Sequence, residues 1–211
     1  MILSDRALLL NLDDAWPNES IELPVADVRS WGPQLRFSAP PRVVEQFCRE
    51  RASDLVAPFL LYGSGDFHYL TALRLCFVAE PLLLVAFDNH PDWDVRPPKW
   101  ACGGWVNRAL ELPNVMLTSV WGCGNFECWW PHQIFGNRSA ERAGILEVHP
   151  WADERPVKDR QRRAQSYARI GASVLKNLRN VLAAKMSTSQ SISIACAANR
   201  RQRTGKAVAS P

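Results

Sequence analysis

No apolar run in this 211-residue sequence approaches the roughly 18–20 residues that a membrane-spanning helix needs. The first residues, Met-Ile-Leu-Ser-Asp-Arg, lack the small-residue cleavage site of a secretory leader, and Asp5, Asp13 and Asp14 crowd the nearby apolar stretch. No internal repeat is visible. The six cysteines (48, 76, 102, 123, 128 and 196) are too thinly spread for a disulfide framework, so reduced thiols and a cytoplasmic protein are expected. Acidic residues are missing altogether from 166–211, a stretch with eight Lys and Arg.

What is present is a globular composition, 47% hydrophobic and 22% charged. The net charge of +4 belongs to the tail, because the first 165 residues carry 17 basic and 21 acidic groups. A mildly acidic body argues against nucleic acid as a partner, and the tail has no aromatic residue beyond Tyr167 to stack on bases. Composition thus divides the chain into an α/β body, residues 1–165, and a basic tail, residues 166–211, expected to be non-native or disordered.

Within the body, short apolar runs alternate with amphipathic segments. Strands are expected over Ala7–Leu12, Pro58–Tyr62, Leu82–Phe87, Val115–Trp121 and Ile145–Val148, and helices over Pro41–Ala52, His68–Val78 and Gly103–Leu112. Continuous runs such as Leu82–Phe87 suit parallel strands covered on both faces. The pattern is that of an α/β fold with a mainly parallel sheet.

The chemically informative cluster follows the third of these strands: Phe87-Asp88-Asn89-His90-Pro91-Asp92-Trp93-Asp94. Ligands in open α/β sheets bind just beyond the carboxyl ends of the strands. Asp88, His90 and Asp92 stand at i, i+2 and i+4, so in an extended segment they would point the same way. Carboxylates with imidazole suit manganese, iron or zinc, and bridging carboxylates suit a metal pair. A second candidate, Gly63-Ser64-Gly65-Asp66-Phe67-His68, follows the preceding strand, and its glycines permit a tight turn that brings His68 to the same edge. The plain alternative is a solvated turn at Asp88–Asp92 and a capping or core histidine at 68.

Gly65-Asp66-Phe67-His68 and Phe87-Asp88-Asn89-His90-Pro91-Asp92 resemble the first two metal motifs of the arginase–agmatinase (ureohydrolase) superfamily. The resemblance covers about residues 1–165. It implies a three-layer α/β sandwich, a pair of manganese ions, and hydrolysis of a guanidino or amidine C–N bond in a small substrate. By the same resemblance His68 would bind one ion and His90 the other, with Asp88 and Asp92 between or beside them. Asp66, Asp94, Trp93 and Trp105 would support these ligands or line the substrate mouth, together with Trp100. Self-association is compatible with this reading.

The sequence departs from the family pattern in three places. Phe67 separates Asp66 from His68, and Cys102-Gly103-Gly104-Trp105 stands where a proton-transferring histidine is usual. The third motif, a strand ending in Ser-x-Asp-x-Asp, is absent; Glu127, Asp153, Glu154 and Asp159 read as isolated acids. The genetic code offers an account. Read from the third base of the methionine codon, synonymous codons for Met186 to Gln202 permit Val-Asn-Val-Ser-Ile-Asp-Leu-Asp, the shape of the missing motif. A frame change near residues 164–168 would explain the tail and leave the chain without its C-terminal part, short of two metal carboxylates and with weak or no activity. The alternative function is a non-catalytic arginase-like scaffold or interaction protein with a basic arm.

Smaller signals were weighed alongside. Cys123-x4-Cys128-x3-His132 has the residue types of a zinc site without a common spacing, and reads better as buried thiols among Trp121, Trp129 and Trp130. Neither Ser64 nor Cys102 has the pattern of a nucleophile beside a His–acid pair.

Overall fold

The computed structural model describes residues 7–16 and 23–150 with their side chains, and the backbone of 193–198. In chain order its elements are β1 (Ala7–Asn11), β2 (Val25–Asp27), α1 (Gly32–Leu35), α2 (Pro41–Glu50), α3 (Ala52–Leu55), β3 (Phe59–Leu61), α4 (Leu70–Leu75), β4 (Leu82–Phe87), α5 (Trp105–Leu110), β5 (Val115–Cys123), α6 (Arg138–Arg142), β6 (Leu146–Pro150) and β7 (Ser193–Ala198). No helix among the described residues is long and apolar enough to cross a membrane. The boundary expected near residue 165 and nearly all of the expected tail lie outside the described residues; β7 is the element described within it.

The architecture is α/β and every strand pair is parallel. The strands form two sheets, ordered β2-β1-β3 and β6-β5-β4-β7. β4 lies between β5 and β7, with Phe87 in register with Trp121 and Ala198. Leu82, Leu84 and Ala86 are at most 1% exposed, while Phe87 at the strand end is half exposed. β5 runs two residues past the expected Trp121, through an irregularity at Gly122, whose φ of +88° suits glycine. β2 escaped the sequence reading because three residues, two of them exposed, carry no usable alternation.

α2 begins at Pro41, whose ring presets the helical φ and whose missing N–H would be unpaired there anyway. It buries Val44 and Phe47, each contributing about 2 kcal/mol by leaving water. α4 is shorter than the expected His68–Val78 at both ends, and Gly65–Phe67 forms a separate 3₁₀ turn ahead of it. One hydrophobic cluster takes in residues from both sheets and from α2, α4 and α5, including Leu10, Phe47, Leu70, Leu84 and Trp105. The core thus ties the carboxyl ends of β3 and β4 into one neighbourhood.

Candidate metal centre

The loop after β3 needs a glycine at position 63. A Cβ there would meet Asp13 Oδ1 at 2.4 Å, with Leu12 and the Phe67 ring each at 3.1 Å. Asp13 Oδ1 also accepts the Ser64 N–H at 3.0 Å, pinning the turn. Phe67 and Tyr69 are fully buried on either side of His68, so the imidazole between them has a fixed position. Its Nδ1 donates to the Gly65 carbonyl, which directs Nε2 across to the loop after β4. A metal-binding histidine is commonly oriented by such a bond from its other ring nitrogen.

The loop after β4 supplies the facing carboxylates. The Asp88 N–H donates to the Trp121 carbonyl at 2.9 Å, extending the pairing of β4 with β5 by one residue. The Asp88 carboxylate accepts the His90 N–H at 2.9 Å. Asp92 has φ +49°, a left-handed conformation that Asp and Asn tolerate better than other side-chain-bearing residues. Its carbonyl accepts the Val106 N–H at 3.1 Å, and its Oδ2 accepts the Trp105 indole N–H at 2.7 Å. His68 Nε2 lies 2.9 Å from the same oxygen and 4.0 Å from Asp88 Oδ2.

His68, Asp88 and Asp92 therefore form a group that can hold a metal ion, with one ligand atom from each within 4.8 Å of the others. One imidazole and two carboxylates suit a first-row divalent cation. Burial pulls the His68 pKa down, but the hydrogen bonds with Asp92 and Cys102 outweigh it and push the value up to about 11. Burial also pushes the Asp92 carboxyl upward, against its bonds from His68 and Trp105. An imidazole nitrogen facing two buried carboxylates is a donor set that fits a divalent cation, which would displace protons held there.

His90 lies outside this group. Its Nδ1 is 3.4 Å from Asp88 Oδ1, and its ring is about one-third exposed. The expected convergence of Asp88, His90 and Asp92 by strand alternation is corrected: the segment is a loop that bends at Asn89 and His90, so alternation does not hold across it. The His90 pKa is raised, first by its bond with Asp88 and also by the charges of Asp92 and Glu127. Glu127, read in the sequence as an isolated acid, sits on a loop hung from Asn89, whose carbonyl accepts the N–H groups of Gly124 and Asn125, each at 3.1 Å. Burial raises its pKa, opposed by His90. Its position just past the end of β5 was the signal for it, since that strand neighbours β4.

The remaining expected residues divide. Trp93 and Trp105 are 4% and 1% exposed, so neither lines a mouth. Trp105 supports Asp92, whereas Trp93 packs against Gly136. The Asp66 carboxylate pairs with Arg36, and its backbone carbonyl accepts bonds from Phe37 and Cys102. Asp94 is held by Arg96. Trp100 is half-buried. The described cysteines are free; Cys123 and Cys128 are buried, but His132 is exposed against the Phe126 ring, and the three do not form a metal group. The Cys123 thiol is pushed far up by Cys128 and by burial. Trp130 is three-quarters exposed and so does not belong to a buried patch.

No family model matches the sequence. A protein from Thermotoga maritima, described as an uncharacterized protein, is 32% identical over 89 residues, which is 42% of this chain and 35% of that protein. The match therefore spans about a third of that relative's length. No solved structure matches.

Proposed function

We propose that this chain is of the arginase type, a metal-dependent hydrolase for the C–N bond of a small guanidino or amidine compound with manganese as its cofactor, impaired by the absence of the third metal motif. The observation that carries the reading is the meeting of His68, Asp88 and Asp92 beyond the carboxyl ends of β3 and β4, each a strand of its own parallel sheet. The parallel α/β architecture is compatible with the three-layer sandwich that the motif resemblance implies. The free thiols suit a reducing compartment such as the cytoplasm.

In this reading His68, Asp88 and Asp92 would hold one ion, and His90 beside Asp88 would serve a second. When bound, the cations supply Lewis acidity that makes water nucleophilic at neutral pH. The chain's own residues do the rest. Trp105 and the Gly65 carbonyl keep the ligands aimed. Water adds to the amidine carbon, the C–N bond breaks, and the departing nitrogen takes a proton. That proton comes from the attacking water.

Manganese titration of the full chain, followed by electron paramagnetic resonance, tests the reading. The wild type should take up the ion. His68→Ala should weaken uptake beyond the roughly 10–100-fold that loss of a merely supporting residue costs. A wild-type chain that leaves all added manganese free overturns it.

A further inference from the structure

Past Asp92 the chain leaves the metal cluster and builds a second surface. Val95 N–H donates to the Phe135 carbonyl and Asn137 N–H to the Trp93 carbonyl, both at 3.0 Å, around an antiparallel bridge between Asp94 and Gly136. Glycine is required at 136, because a Cβ there would lie 2.3 Å from the buried Trp93 ring. The result is a groove of about 500 Å³ alongside α6. Its lining includes Trp130, Val95 and Ile134, which are 75%, 60% and 53% exposed. Large apolar side chains left open together mark a binding surface more often than a bare one.

The charges around this groove are not equivalent. Glu141 is paired with Arg138 at 2.6 Å, Glu111 with Arg108 and Lys99, and Asp94 with Arg96. The neighbouring acids are therefore engaged by other cations. Arg142 also lines the groove, is exposed, and makes no ion pair among the described residues. The side-chain amide of Gln133, in the same lining, makes no hydrogen bond among the described residues. A guanidinium and an amide without partners among the described residues, lining the same groove as an indole, are complementary to a molecule with an anionic head and an apolar body.

We propose that this groove binds a small amphiphilic anion, its carboxylate or sulfonate on Arg142 and Gln133 and its apolar body against Trp130, Val95 and Ile134. A volume of about 500 Å³ is that of a site for a small organic molecule. The proposal does not depend on the metal reading.

The probe is 1-anilinonaphthalene-8-sulfonate, titrated by fluorescence into the full chain and compared with N-phenyl-1-naphthylamine, which has the same rings without the sulfonate. The sulfonate should bind one per chain. Trp130→Ala and Arg142→Gln should each weaken it about tenfold, the loss of one charge-assisted bond or one well-packed ring. The neutral analogue should bind about tenfold more weakly and be indifferent to Arg142→Gln. Both side chains are exposed, so neither change threatens the fold; manganese uptake by the two variants should equal that of the wild type. Equal binding of the neutral analogue reduces the groove to an unselective apolar patch and overturns the proposal. So does sulfonate binding that survives both substitutions, or a groove found by light scattering to be closed by a second copy of the chain.

Discussion

The loops after β3 and β4 deliver ligands to one point but are held by different forces. Around the β3 loop, Asp13 receives the Ser64 N–H, and Arg36 joins Asp13 to Asp66 with a guanidinium side chain that is 41% exposed. The β4 loop is held from within: Trp105 and Val106 at the start of α5 bond to the side chain and backbone of Asp92, and both are essentially buried. Exposed ion pairs contribute little and are screened by salt, whereas a buried donor cannot be replaced by water. The precision of this centre therefore resides mainly in the Asp92 side, while Arg36 trims a loop already anchored by Phe67.

The largest effect that could break this comparison comes from Asp92→Asn. Asparagine also tolerates the left-handed backbone and can still accept the Trp105 N–H, but it carries no charge. Manganese affinity should fall more than about 100-fold, beyond the 10–100-fold range of supporting residues, with the far-ultraviolet circular dichroism spectrum unchanged. Trp105→Phe comes next. It keeps a ring edge toward His68, now at 6.2 Å between centroids, and deletes the N–H. Isothermal titration should show manganese affinity lowered about tenfold, and urea unfolding should show about 1–3 kcal/mol lost with the buried bond. Arg36→Ala should be smallest, at most about 1 kcal/mol in the same unfolding measurement, shrinking further at high salt. If Arg36→Ala matches Trp105→Phe in cost, the two loops are not held differently.

Much of this centre was legible in local sequence. Leu82–Phe87 is a continuous apolar run closed by Asp88, and it became a buried strand with the ligand loop at its carboxyl end. Gly63 and Gly65 announced a tight turn, and His68 emerged from it at the same edge. What could not be read depends on contacts between distant residues. Trp105 lies thirteen positions from Asp92, and nothing in its neighbourhood marks it as the donor that holds a carboxylate. Strand alternation admitted His90 on the premise of extended backbone, whereas the chain bends at Asn89 and His90. Glu127 lacked any local motif and gained its place through the hydrogen bonds of Gly124 and Asn125 to Asn89. The division of the strands into two sheets is likewise a property of pairing, invisible to periodicity within one strand.

The left-handed backbone at Asp92 has a consequence for variation. Steric fit alone narrows the position to Gly, Asn and Asp as its comfortable occupants. Of these three, aspartate alone brings an anionic oxygen. Two unrelated demands, one of shape and one of charge, thus fall on the same codon. A random library screened only for folded protein should retain all three residues there, and one screened for metal should collapse to one.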